Sequence, residues 1–330
     1  MNRALFEIGA ACAFVAAACV TACGTGNSTD ANGAGEPTVD FSRSALTPPN
    51  DAGTSGLALL WKSDTNGLGE WGLQGTHVTG MSTASQPVPG PSGTNIPIGS
   101  AIAAGGTTFL AAWQPDGTVI DWHLHDATQA IHPIQYADTY QNNCAVNCPH
   151  YWRPIGQVSF LDSGGQGYSG LLWHNATTGE VQIWKRTSGI VGVSRRCGSS
   201  DGCSSSYRAV TTVDFDGDGN SDLMWFNAYS GEVVFWLLDA SGTYRQSLSL
   251  DRHCGSSDGC SSDWAPIDAA DVNGDGVPDL LWFGRGAGQL TTWLLNRNGI
   301  YQGSQALDQT CTAAQGCASW TPIGFARIDP

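Results

Sequence analysis

The sequence predicts an all-β protein in which one four-stranded unit is repeated around a closed ring. Three observations carry this. Two tryptophans recur nine to eleven residues apart, five times: Trp61/Trp71, Trp113/Trp122, Trp173/Trp184, Trp225/Trp236 and Trp282/Trp293. Glycine is abundant at 43 residues while charged residues make up 13%, a balance that favours short strands and tight turns over long charged helices. Finally, the first repeat opens at a second-strand sequence and the last ends after a first-strand sequence, so the two chain ends complement each other.

In chain order, residues 1–22 read as a leader. Arg3 gives a short positive start, and residues 8–20 form an apolar run too short to span a bilayer, as in a secretory signal peptide. Glu7 departs from that pattern. The run ends in Val20-Thr21-Ala22-Cys23, which resembles the lipobox of bacterial lipoproteins. Two readings stand: lipidation at Cys23, or ordinary cleavage after Ala22. Residues 23–50 are rich in Gly, Thr, Ser, Asn, Ala and Pro without periodicity, the composition of a flexible tether with a reach of roughly 30 Å. Residues 51–330 are then the folded domain.

Within that domain the first tryptophan of each pair recurs every 52 to 60 residues. Trp152, Trp264 and Trp320 precede three of the units, with Tyr207 in the same place of another, which accounts for all thirteen tryptophans. Residues 264–311 show a full unit. "WAPIDAADV" is a first strand, "DLLWFG" a second, "QLTTWLLN" a third and "YQGSQALDQTC" a fourth, separated by Gly/Asp turns. Four short antiparallel strands at this period describe a propeller blade. The opening "LALLWK" has no first strand of its own, and the closing "WTPIGFARID" is a first strand alone. Pairing them closes the ring and removes exposed edges. The expectation is a five-bladed β-propeller closed by the C-terminal strand. The tryptophan rows are read as blade-to-blade packing rather than a carbohydrate platform, because every unit repeats them.

The net charge of −15, from 14 basic and 29 acidic residues, leaves no basic stripe for a nucleic acid or an anionic membrane surface. Membrane association would run through a lipid anchor alone. Of eleven cysteines, Cys12 and Cys19 leave with the leader, and eight fall in close couples. The couples are Cys144 with Cys148, Cys197 with Cys203, Cys254 with Cys260, and Cys311 with Cys317. In an exported protein each couple is expected to pair locally, although eight cysteines allow 105 connectivities. Cys23 is the odd one, and lipidation gives it a use.

Two loops between first and second strands carry dense acids: "DFDGDGNSD", Asp214 to Asp222, and "DVNGDGVPD", Asp271 to Asp279. Oxygen ligands at loop positions 1, 3, 5 and 9, with a backbone carbonyl at 7, suit a hard cation of flexible coordination. In the first loop these are Asp214, Asp216, Asp218, the Asn220 carbonyl and Asp222. In the second they are Asp271, Asn273, Asp275, the Val277 carbonyl and Asp279. Gly219 and Gly276 permit the turn at position 6. Calcium is expected at both, since magnesium demands a stricter octahedron. Trp225 and Trp282 stand at position 12 where an EF-hand has Glu, and the flanks are strands. The plain alternative is two solvated acidic turns.

"DFDGDGNSDLMWFNAYSGEVVFW" and "DVNGDGVPDLLWFGRGAGQLTTW" resemble the FG-GAP/VCBS-type repeats of bacterial surface and secreted propellers, akin to integrin α-chain blades. The resemblance is specific over residues 207–300, recognisable over 151–190, where the loop retains Asp162, and weak before residue 135. It implies binding or adhesion toward a glycan or protein ligand. Two other functions remain in view: a glycosidase-type five-bladed enzyme and a structural envelope module. No catalytic residue is assigned. His123, His125, His132, His150, His174 and His253 form no metal-spaced or triad-like set. Ser200 and Ser257 match Gly-x-Ser-x-Gly but sit inside cysteine-bracketed turns rather than a strand–turn–helix elbow.

Overall fold

The computed structural model describes residues 57–64, 67–83, 152–161, 167–185, 189–197, 206–254, 263–312, 317 and 319–327, and the backbone of 96–102, 108–113, 119–125 and 131–136. The leader, the tether, Cys23, Asp162, Ser200 and Ser257 lie outside the described residues. So do Cys144 and Cys148. Among the described residues every regular element is a strand.

In chain order the strands are β1 (Leu57–Ser63), β2 (Leu68–Gln74), β3 (His77–Thr83), β4 (Ile96–Ile102), β5 (Thr108–Trp113), β6 (Val119–His125) and β7 (Ile131–Tyr136). Next come β8 (Trp152–Leu161), β9 (Gly167–Asn175), β10 (Val181–Lys185), β11 (Ile190–Gly192), β12 (Tyr207–Val213), β13 (Asp222–Asn227), β14 (Val233–Leu238) and β15 (Tyr244–Ser249). The last are β16 (Trp264–Ala270), β17 (Asp279–Gly284), β18 (Gln289–Leu295), β19 (Tyr301–Thr310) and β20 (Trp320–Arg327). They form antiparallel four-stranded sheets in the orders β20-β1-β2-β3, β4-β5-β6-β7, β8-β9-β10-β11, β12-β13-β14-β15 and β16-β17-β18-β19. The C-terminal strand β20 pairs with β1 from Leu57↔Arg327 to Ser63↔Trp320.

The expectation of a five-bladed propeller is corrected: four blades of four antiparallel strands are described with their packing, and the strands between residues 96 and 136 pair as a further four-stranded sheet whose first strand lies between β20 and β8. Residues 103–107 of that unit read AAGGT, and its second strand, like those that open at Leu57 and Gly167, lacks the acid with which Asp222 opens β13 and Asp279 opens β17.

A repeated irregularity sets the first strands. The pairing of first to second strand slips by one residue after Pro97, Pro154, Ala209, Pro266 and Pro322, passing over Ile98, Ile155, Val210, Ile267 and Ile323. A bulge there raises the local twist and suits a proline that cannot donate to the ladder.

The tryptophan rows pack the blades together, as their repetition implies. Trp61, Trp173, Trp225 and Trp282 are buried, and each meets the partner tryptophan of its own blade at 4.2–4.8 Å between centroids. The residue after the second-strand tryptophan reaches the next blade edge-on: His174 to Trp225, Phe226 to Trp282, and Phe283 to Trp61. Each hydrophobic cluster consequently spans two blades.

Candidate cation loops

The two acidic loops leave their first strands at the same place and fold alike. Gly217, Gly219, Gly274 and Gly276 take φ of 76°, 85°, 81° and 80°, a region in which side-chain-bearing residues are strained. That curl turns successive amides inward. Asp214 Oδ1 accepts from Gly217 N at 2.8 Å and Asp218 N at 3.1 Å, and its Oδ2 accepts from Gly219 N at 3.0 Å. Asp271 repeats the pattern with Gly274 at 2.7 Å, Asp275 at 3.1 Å and Gly276 at 2.8 Å.

The first loop brings Asp214, Asp216 and Asp218 together, with one carboxylate oxygen from each within 4.8 Å of the others. Burial is the main cause that pushes the Asp214 and Asp216 carboxyls above the ordinary range, and the neighbouring aspartates add to it. Oxygen donors gathered on one turn, with Asp214 and Asp216 raised by desolvation and like charge, are the donor set that a hard cation relieves. The three acids thus fit a calcium ion. Arg245 approaches the same cluster, with Nη1 2.6 Å from Asp218 Oδ2 and 3.5 Å from Asp216 Oδ2.

Asp222 stands outside that trio. It is fully buried and accepts from Leu238 N at 2.9 Å, Phe215 N at 2.9 Å and Asp216 N at 3.4 Å. Desolvation dominates, and its carboxyl is pushed up to about 8. Asp279 is its counterpart, bonded to Leu295 N at 3.0 Å and Val272 N at 3.3 Å and pushed up to about 7 by the same cause. Asn220 is drawn to the neighbouring blade. Its Oδ1 accepts from Leu161 N at 2.9 Å, and its Nδ2 donates to Asp218 Oδ1 at 3.0 Å.

In the second loop Asn273 Nδ2 donates to Asp275 Oδ2 at 3.0 Å, and Val277 N donates to Asp275 Oδ1 at 2.8 Å. Arg297 Nη2 donates to the Gly276 carbonyl at 2.8 Å. Sequence reasoning missed both arginines, because Arg245 on the fourth strand and Arg297 between the third and fourth strands lie outside the acidic motif. Aligning the repeats shows the signal: Tyr244-Arg245 in one blade stands against Tyr301-Gln302 in the next.

Of the four expected cysteine couples, Cys311 and Cys317 form a disulfide. Cys197 and Cys254 are disulfide-bonded as well, while Cys203 and Cys260, their expected partners, lie outside the described residues. The remaining couple, Cys144 and Cys148, lies outside the described residues.

Taken together, ring-closing strand pairing, blade-spanning tryptophans and acidic inter-strand loops define a repeat β-propeller. The family model for FG-GAP-like repeats matches residues 214–282, both loops included, and that stretch is of the FG-GAP/VCBS type. No curated protein matches the sequence. Among solved structures, an Agrocybe aegerita lectin described as recognising non-reducing terminal N-acetylglucosamine is 11% identical, covering 84% of this chain and 86% of its own, at a TM-score of 0.43. AofleA from Arthrobotrys oligospora is 13% identical over 82% and 72%, TM-score 0.43. The periplasmic gluconolactonase PpgL of Pseudomonas aeruginosa is 13% identical over 85% and 72%, TM-score 0.39. Likeness at this level carries no functional argument.

Proposed function

We propose that this protein is a calcium-binding propeller that serves outside the cell as a recognition or adhesion module for a glycan or protein ligand. The observation that supports it most is the convergence of Asp214, Asp216 and Asp218 on one turn, with Asp271, Asn273 and Asp275 at matching positions of the next blade. Each ion would join a first strand to a second. Calcium would then rigidify the loops of two neighbouring blades and hold a ligand-facing surface in one shape. Export and lipid attachment through Cys23 belong to the same proposal.

A glycosidase needs two free carboxyls about 5–9.5 Å apart across a bond. Among the described residues, the grouped acids are the loop trio, whose oxygens are engaged by loop amides and Arg245. That favours binding over hydrolysis. The test is a glycan array run with calcium and with chelator, beside a hydrolysis screen on the same sugars. Calcium-dependent retention without turnover is the expected result. Turnover of a retained glycan would replace this reading with an enzymatic one.

A further inference from the structure

The two loops differ by a matched pair of substitutions, and the pair meets in space. At loop position 3 the first blade has Asp216 and the second has Asn273. At the second residue of the fourth strand the first blade has Arg245 and the second has Gln302. Where the extra carboxylate occurs, so does an extra guanidinium, and Arg245 Nη1 lies 3.5 Å from Asp216 Oδ2 and 2.6 Å from Asp218 Oδ2. Where both are absent, Gln302 turns to its own strand and donates to the Ile300 carbonyl at 3.2 Å.

We infer that Arg245 is an internal counter-ion of the first loop, holding Asp216 and Asp218 together without metal and lowering the loop's calcium affinity by competing for the same carboxylates. This rests on the calcium reading above. The physical reason is charge exclusion. A guanidinium hydrogen-bonded to one ligand carboxylate and ion-paired with a second occupies oxygen lone pairs that a cation needs, and its positive charge repels the incoming ion. Arg245 is half-exposed, so screening keeps the effect moderate. The second loop is spared. Arg297 reaches the Gly276 carbonyl rather than a carboxylate, and it also packs over Gly217 of the first loop, where a Cβ would collide with its guanidinium. The second loop should therefore fill at lower calcium than the first.

The experiment titrates calcium into the full chain by calorimetry and records melting in chelator, for the wild type, Arg245→Gln, Arg245→Lys and Asp216→Asn/Arg245→Gln. An Asp275→Ala background assigns the first-loop step. Arg245→Gln should tighten that step by roughly three- to tenfold, the scale of one exposed ion pair facing a divalent ion. It should also lower the melting temperature in chelator. Arg245→Lys should shift neither strongly, and the double variant should recover the wild-type melting temperature in chelator. Calcium binding by the wild type with an unchanged first-loop step in Arg245→Gln would overturn the counter-ion and leave the calcium reading standing. Absence of calcium binding in every variant would overturn the calcium reading and, with it, the competition. An unchanged melt of Arg245→Gln in chelator would separately remove the holding role.

Discussion

The Asp222 carboxylate accepts the amide of Leu238, the last residue of the third strand, at 2.9 Å, while its other oxygen holds Phe215 at the start of the acidic loop. Asp279 does the same to Leu295 and Val272 in the next blade. Position 9 of each loop is therefore a clamp that fastens the loop to the third strand.

The clamp separates two kinds of aspartate by their effect on stability. Asp222→Ala should cost about 2–4 kcal/mol with or without calcium, because it leaves buried amides without acceptors. Asp216→Ala should cost little in chelator, since Asp216 is partly exposed and shares its arginine with Asp218. Chemical denaturation of both variants in chelator checks this. Equal losses would mean that position 9 has no special structural role.

His174 gives the pH prediction. It occupies the place where the following blades have Phe226 and Phe283, edge-on to Trp225, and its Nε2 is buried without a hydrogen-bond partner. Burial lowers its pKa from 6.5 to about 4. A depressed histidine pKa means that the unfolded chain takes up the proton first. The contribution to stability is thus intact above pH 6.5 and is lost as the pH falls through 4, by roughly 3 kcal/mol at full extent. His174→Phe should remove that acid sensitivity and match the neighbouring repeats. Denaturation midpoints from about pH 4 to 7, spanning the titration of a depressed histidine, test it. An identical pH slope in the two proteins would contradict it.

Ring closure predicts a global response to a small deletion. Strand β20 pairs with β1 along its length, and Phe325 joins Leu59, Trp61 and Phe283 in one core cluster. Removing residues 318–330 should expose the edge of β1 and the flank of that cluster, lowering the melting temperature of the whole domain rather than of one blade. A truncated chain that melts like the full one would show that this pairing is not what holds the ends.

Much of this was legible in the sequence, for physical reasons that can be named. The tryptophan period revealed the strands because one large residue per blade must fill one junction. The chain ends revealed their pairing because a lone "WTPIGFARID" and a headless "LALLWK" complete each other. The acidic loops were legible as ligand spacing, but not the division of labour inside them. Asp214 and Asp222 look alike in sequence and both are buried, and it is their partners that separate them: the loop's own amides for Asp214, the third-strand amide of Leu238 for Asp222. The repeated bulge after Pro97, Pro154 and Pro266 went unread, although Pro-Ile recurs there, because strand register is a property of pairs. Arg245 was invisible for the same reason, lying 23 residues beyond the last acid of its loop.

Calcium calorimetry on the full chain tests most directly whether the two loops are cation sites. Extracellular modules commonly bind calcium at about 10⁻⁴–10⁻³ M, which at millimolar calcium raises stability by a few kcal/mol at most. Two ions per chain are expected, one lost in Asp216→Ala, one in Asp275→Ala and both in the double variant, with the melting temperature falling in step. No heat of binding and no change in melting at millimolar calcium would contradict it, and would leave two acidic turns held by their own amides and by Arg245.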